Sequence, residues 1–203
     1  MSMSGPFTLV FVLFAATVAD AHRLDEYLQA SRVAVSMDAV TIELDLTPGA
    51  SMARTIVARV DRSGDGAVSP LEAEAYARAV IADLDLSVNG QDAPLTLTSV
   101  EAPPIGEMLD GVGTIRLTMR ADIALTTSRR TIRFSNRHAA AESVYLVNAL
   151  KPGDRTIVLE RQSRDVQQRT IDLEYAVASG RDGALGWSVL GLSLVLGLVR
   201  LRA

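Results

Sequence analysis

The chain has no cysteine. That absence excludes a disulfide framework, a zinc–thiolate site and an N-terminal lipoprotein cysteine. Histidine is nearly as scarce, with only His22 and His138. A nucleophilic triad would have to use His138 by default, and neither histidine lies in a recognisable catalytic motif. There is no Gly-rich phosphate loop and no zinc-protease helix. Charge of one sign is missing too: 20 Lys and Arg against 24 Asp and Glu leave a net charge of -4, too small and mixed to attract nucleic acid. These absences point away from an enzyme and away from a nucleic-acid partner.

Long apolar runs are confined to the two ends. Pro6 to Ala19 is almost unbroken and is followed by Ala19-Asp20-Ala21, the apolar core and small-residue cleavage site of a secretory signal peptide over residues 1–21. At the other end Gly183 to Val199 carries no charge and reaches the lower length limit for a membrane-spanning helix, read here as residues 184–199. Trp187 suits the outer interface, and Arg200 and Arg202 in the tail 200–203 suit the cytoplasmic side. Residues 178–183 form a polar linker. The expectation is a single-pass protein of the bacterial inner membrane, its main domain, residues 22–177, in the periplasm or otherwise outside the cytoplasm.

Between the ends the pattern has a period of two. Val40, Ile42, Leu44 and Leu46 alternate with Thr41, Glu43, Asp45 and Thr47, and Ile115, Leu117 and Met119 alternate with Thr114, Arg116, Thr118 and Arg120. Val33, Val35 and Met37 precede a turn at Asp38-Ala39. Asn89-Gly90 between Leu86–Val88 and Leu95–Val100 reads as a hairpin. Further strands fall at 131–134, 144–147, 156–159 and 171–177, and Glu101 to Gly113 reads as one long loop. About nine short strands with little helix predict a mainly β domain, an antiparallel β-sandwich.

One stretch breaks that pattern. Asp61-Arg-Ser63-Gly-Asp65-Gly66-Ala67-Val68-Ser69-Pro-Leu-Glu72 places oxygen donors at positions 1, 3, 5, 7, 9 and 12 of a twelve-residue loop, with glycine at 6 and an apolar Val68 at 8. Upstream, Ser51 can cap a helix that carries Met52, Ile56, Val57 and Val60 on one face. Downstream, Pro70 suits the first helical position, and Ala73, Tyr76, Ala77, Val80, Ile81 and Leu84 continue a helical stripe. A capping box would account for Ser69 and Glu72 alone and would not require Asp61, Asp65 and Gly66. Residues 51–84 therefore resemble an EF-hand, a helix–loop–helix inserted after the second strand. The resemblance implies Ca2+ held by Asp61, Ser63, Asp65, the backbone carbonyl of Ala67, Ser69 and both oxygens of Glu72. Three carboxylates and no paired second hand imply modest affinity and a structural ion.

If cleavage follows Ala21, His22 becomes the mature N-terminus, and its amine and imidazole could hold copper or nickel with His138 as partner. The alternative is that His22 merely follows the cleavage site and His138 is a surface loop residue.

His22-Arg-Leu-Asp-Glu-Tyr27-Leu-Gln-Ala, Glu43-Leu-Asp-Leu-Thr-Pro-Gly49, Gly113-Thr-Ile-Arg-Leu117, Ser135-Asn-Arg-His138 and Ser143-Val-Tyr-Leu-Val-Asn-Ala-Leu150 together resemble the extracytoplasmic N-terminal domains of some HupE/UreJ-like membrane proteins. That resemblance implies metal handling linked to nickel or cobalt uptake. The expected single C-terminal span departs from the multi-helix permease of those relatives, which puts transport by this chain alone in question. The expectations are thus a membrane-anchored calcium-binding module, a transition-metal accessory protein using His22 and His138, or a non-catalytic surface module with a membrane or extracytoplasmic protein partner.

Overall fold

A computed structural model describes residues 26–123 and 129–178. The signal peptide, His22, the linker beyond Ala178 and the C-terminal span lie outside the described residues. Among the described residues no helix is long and apolar enough to cross a membrane.

The domain is mainly β, with two five-stranded sheets and few helices, consistent with a β-sandwich. In chain order, β1 (Tyr27–Val35) and β2 (Ala39–Pro48) lead into helices α1 (Ala50–Val60) and α2 (Pro70–Ile81). Then come β3 (Leu84–Val88), β4 (Gln91–Asp92), β5 (Thr96–Glu101), α3 (Ile105–Leu109) and β6 (Ile115–Asp122). The strands β7 (Arg130–Asn136), β8 (Ser143–Ala149), β9 (Ile157–Arg164) and β10 (Thr170–Val177) complete the fold. One sheet runs β5-β6-β2-β1-β8 and the other β4-β3-β7-β10-β9.

Alternation in the sequence becomes alternation in space. Ile42, Leu44 and Leu46 of β2 and Leu117 and Met119 of β6 are buried, and they share one core with Ile132, Phe134, Ile171 and Leu173 of the other sheet. Burying each such side chain contributes about 1.5–3 kcal/mol. The outward residues of β2 are charged, and Arg32 of β1 reaches across to both Glu43 (2.9 Å) and Asp45 (2.9 and 3.2 Å). Solvated cross-strand pairing accounts for those acids.

Five expectations need correction. The first sheet is not wholly antiparallel: β8 lies beside β1 in parallel register, Tyr27 opposite Ser143, because both strands enter the sheet from the same end. The hairpin at Asn89-Gly90 forms, with both residues at positive φ (53° and 75°), but its return strand is only β4. After Pro94 the chain crosses to the other sheet, and Leu97 and Val100 pair with β6. The long loop contains α3, whose Met108 is buried, and Gly113 packs so closely that a Cβ there would stand 2.6 Å from the Met108 amide nitrogen. α1 starts at Ala50 with Gly49, not Ser51, in the N-cap position. α2 ends at Ile81, so Leu84 opens β3 instead of continuing the helical stripe.

Candidate functional site

The segment between α1 and α2 lies at the end of the sandwich where β2 stops. α1 buries Ala53, Ile56 and Val60, and α2 buries Ala73, Tyr76, Ala77 and Val80. Asp61 follows α1 directly, its amide still bonded to the Val57 carbonyl at 2.8 Å. Its carboxylate is nearly buried and turns into the loop: Oδ1 accepts from the Gly64 amide at 2.8 Å and the Ser63 hydroxyl at 3.2 Å, and Oδ2 accepts from the Gly66 amide at 3.1 Å. Gly66, at φ 84°, holds a left-handed conformation that a residue with a Cβ would adopt only with strain. Asp65 Oδ1 accepts from the Ala67 amide at 2.9 Å.

Glu72 closes the loop. Its Oε1 accepts from the Ser63 amide at 2.9 Å, and its Oε2 accepts from the Ser69 amide at 2.9 Å and the Ser69 hydroxyl at 2.7 Å. The Ser69 hydroxyl in turn accepts from the Glu72 amide at 3.3 Å, completing a capping box. These bonds, that from the Ser69 hydroxyl foremost and that from the Ser63 amide next, lower the Glu72 pKa to about 2. Val68 is partly buried against the core. Positions 1, 3 and 12 therefore meet around Ser63, whereas Asp65 folds onto its own turn. Among the described residues no three carboxylate or imidazole side chains converge as a ready-made metal cluster. The donor set at the loop positions is all oxygen: three carboxylates, two hydroxyls and the Ala67 carbonyl. That chemistry suits a hard cation.

No protein-family model, no curated protein and no solved structure matches this chain. Its chemistry has to be read from its own side chains.

His138 is not a surface loop residue. It is buried, with Nδ1 2.8 Å from Asp83 Oδ2 and Nε2 3.4 Å from the Tyr76 hydroxyl. Both ring nitrogens are engaged, so a metal at either one must displace a partner. Its proposed companion His22 lies outside the described residues.

Around His138 stands a polar cluster that pattern reading missed. Tyr27 and Tyr76 share a hydrogen bond of 2.7 Å, and burial pushes the pKa of both phenols up. Gln29, fully buried, donates to the His138 carbonyl (2.8 Å) and the Ser143 hydroxyl (2.7 Å) and accepts from Asn136 (2.8 Å). Asn136 Oδ1 accepts from the His138 amide at 2.9 Å, and the Tyr145 hydroxyl donates to the His138 carbonyl at 2.7 Å. A signal was present in β1. Tyr27, Gln29, Ser31, Val33 and Val35 share one parity, and a glutamine and a serine on the inward side require buried partners.

Proposed function

We propose that this chain is an exported, membrane-anchored, non-catalytic module in which residues 61–72 bind one structural Ca2+. The observation that carries the reading is the closure of the loop by Glu72. Its ionised carboxylate folds back onto the Ser63 amide, while Asp61 gathers the amides of Gly64 and Gly66. Two helices flank the loop, glycine holds position 6 at positive φ, and a capping box starts the exit helix. Calcium would take oxygens from Asp61, Ser63, Asp65, Ala67, Ser69 and Glu72. A single hand outside the cell works at about 0.1–1 mM calcium, where the ion stabilises the fold by binding only its native form. Export and the bacterial inner-membrane anchor rest on the apolar stretches at 6–19 and 184–199.

Calorimetric titration of the full chain with calcium tests this reading. Millimolar or tighter binding in the wild type, lost in Asp61→Ala, supports it; no heat up to several millimolar overturns it. Copper or nickel handling through His22 and His138 is the weaker reading, because both nitrogens of His138 are already engaged.

A further inference from the structure

α2 carries Glu72 in its first turn and Tyr76 one turn later, with Tyr76 buried. Residues four apart lie on one face of a helix, so the two side chains share a lever. The Tyr76 hydroxyl enters a socket made by β1 and the turn after β7, bonded to Tyr27 at 2.7 Å and in longer contact with His138 at 3.4 Å. Both phenol rings stand edge-on to the imidazole, with centroids 6.3 and 6.0 Å away.

Hydrogen-bond direction in the socket follows from its far end. An ionised Asp83 can only accept, so His138 Nδ1 donates to it; a neutral ring then offers Nε2 as an acceptor. With Nε2 unprotonated, the Tyr76 hydroxyl can donate to that nitrogen while accepting from Tyr27. The chain runs Tyr27 to Tyr76 to His138 to Asp83, with one acceptor for each hydrogen. The entry helix is tied down as well: Arg59, in the last turn of α1, holds Glu142 through two contacts of 3.1 and 3.2 Å.

We propose that seating of Tyr76 between Tyr27 and His138 and occupancy of the calcium loop are one coupled equilibrium. Tyr76 is then a positioning residue that sets Glu72 at the twelfth ligand position, and the hairpin binds calcium without swinging open. The inference rests on the calcium reading of residues 61–72. Its physical basis is preorganisation. Glu72 must bring both oxygens to about 2.3–2.6 Å from the ion, and a loosened α2 would first have to be ordered at a cost to affinity. Linkage makes the effect reciprocal, so calcium tightens the socket as the socket tightens calcium.

The test titrates the full chain with calcium by calorimetry and follows the ring nitrogens of His138 by NMR. Tyr76→Phe is compared with Tyr175→Phe, which removes a buried hydroxyl from β10 that has no hydrogen-bond partner among the described residues. The expected result is affinity weakened at least about fivefold in Tyr76→Phe, which loses the short bond to Tyr27 and the longer contact with His138, and unchanged in Tyr175→Phe. In the wild type the His138 Nε2 resonance moves in step with the heat of binding, a signature that general loss of stability would not produce. Should Tyr76→Phe fail to fold, Tyr27→Phe removes the neighbouring hydroxyl and weakens binding in the same direction. Equal affinity in wild type and the socket variant overturns the coupling while the calcium site stands. No binding by the wild type overturns the calcium reading and this inference with it.

Discussion

Glu72 caps α2 and, on the calcium reading proposed above, would have a second role. As a capping-box residue it satisfies the Ser69 amide, and as loop position 12 it would supply two oxygens to calcium. Glu72→Gln separates the roles, because an amide oxygen still caps but brings no charge. We expect Glu72→Gln to keep its helix content by circular dichroism and to lose calcium affinity at least about tenfold by calorimetry. Acid adds a second readout. The folded pKa lies below the ordinary 4.5, at about 2, so the contribution of Glu72 to stability is full above pH 4.5 and disappears as pH falls toward 2. In Glu72→Gln that part of the acid dependence of Tm vanishes. Tyr175 gives the opposite sign. Burial raises its pKa to about 12, so its contribution is full below pH 10 and is lost as pH climbs toward 12. Its hydroxyl has no hydrogen-bond partner among the described residues, so Tyr175→Phe should leave Tm unchanged or raise stability by up to about 1 kcal/mol, while removing that alkaline loss.

The elements were legible where one periodicity ruled, as in β2, whose inward Ile42, Leu44 and Leu46 are all fully buried. Leu44→Ala should cost about 2–5 kcal/mol in chemical denaturation, because the gap between two packed sheets cannot close. Partnership between elements was less legible. Asn89-Gly90 correctly marked a turn, yet nothing local to Leu95–Val100 says that Pro94 sends that strand to the other sheet. The parallel pairing of β1 with β8 joins residues more than a hundred positions apart, and no short-range pattern encodes it. α3 is five residues long, too short for a helical stripe to show. Its signature was Gly113, whose missing side chain makes room for the backbone of Met108. Gly113→Ala should lower Tm measurably, since backbone would have to move.

At the scale of the molecule, the loop at residues 61–72 and the end of the described chain at Ala178 stand at opposite ends. α1 leaves β2 beside Tyr27, whereas Ala178 is held by Thr156 near Met37, at the far tip of β1 and β2. A nine-residue strand separates the two ends by roughly 30 Å. A membrane anchor beyond Ala178 would therefore leave the loop facing away from the bilayer. A chain ended at Ala178 should leave the membrane fraction and bind calcium as tightly as the full chain. The helix–loop–helix and its closure by Glu72 were readable because their spacing is local, from Asp61 to Glu72. The socket of Tyr27, Tyr76, Asp83 and His138 was not, since its members come from distant parts of the chain and meet only in the fold.

The most direct measurement is the thermal unfolding of the full chain with and without calcium, in wild type and in Glu72→Gln. An ion that binds only the native form at tenfold above its Kd adds about 1.4 kcal/mol, so the wild-type Tm should rise by several degrees and that of Glu72→Gln by far less. Equal midpoints with and without several millimolar calcium in the wild type would contradict the account.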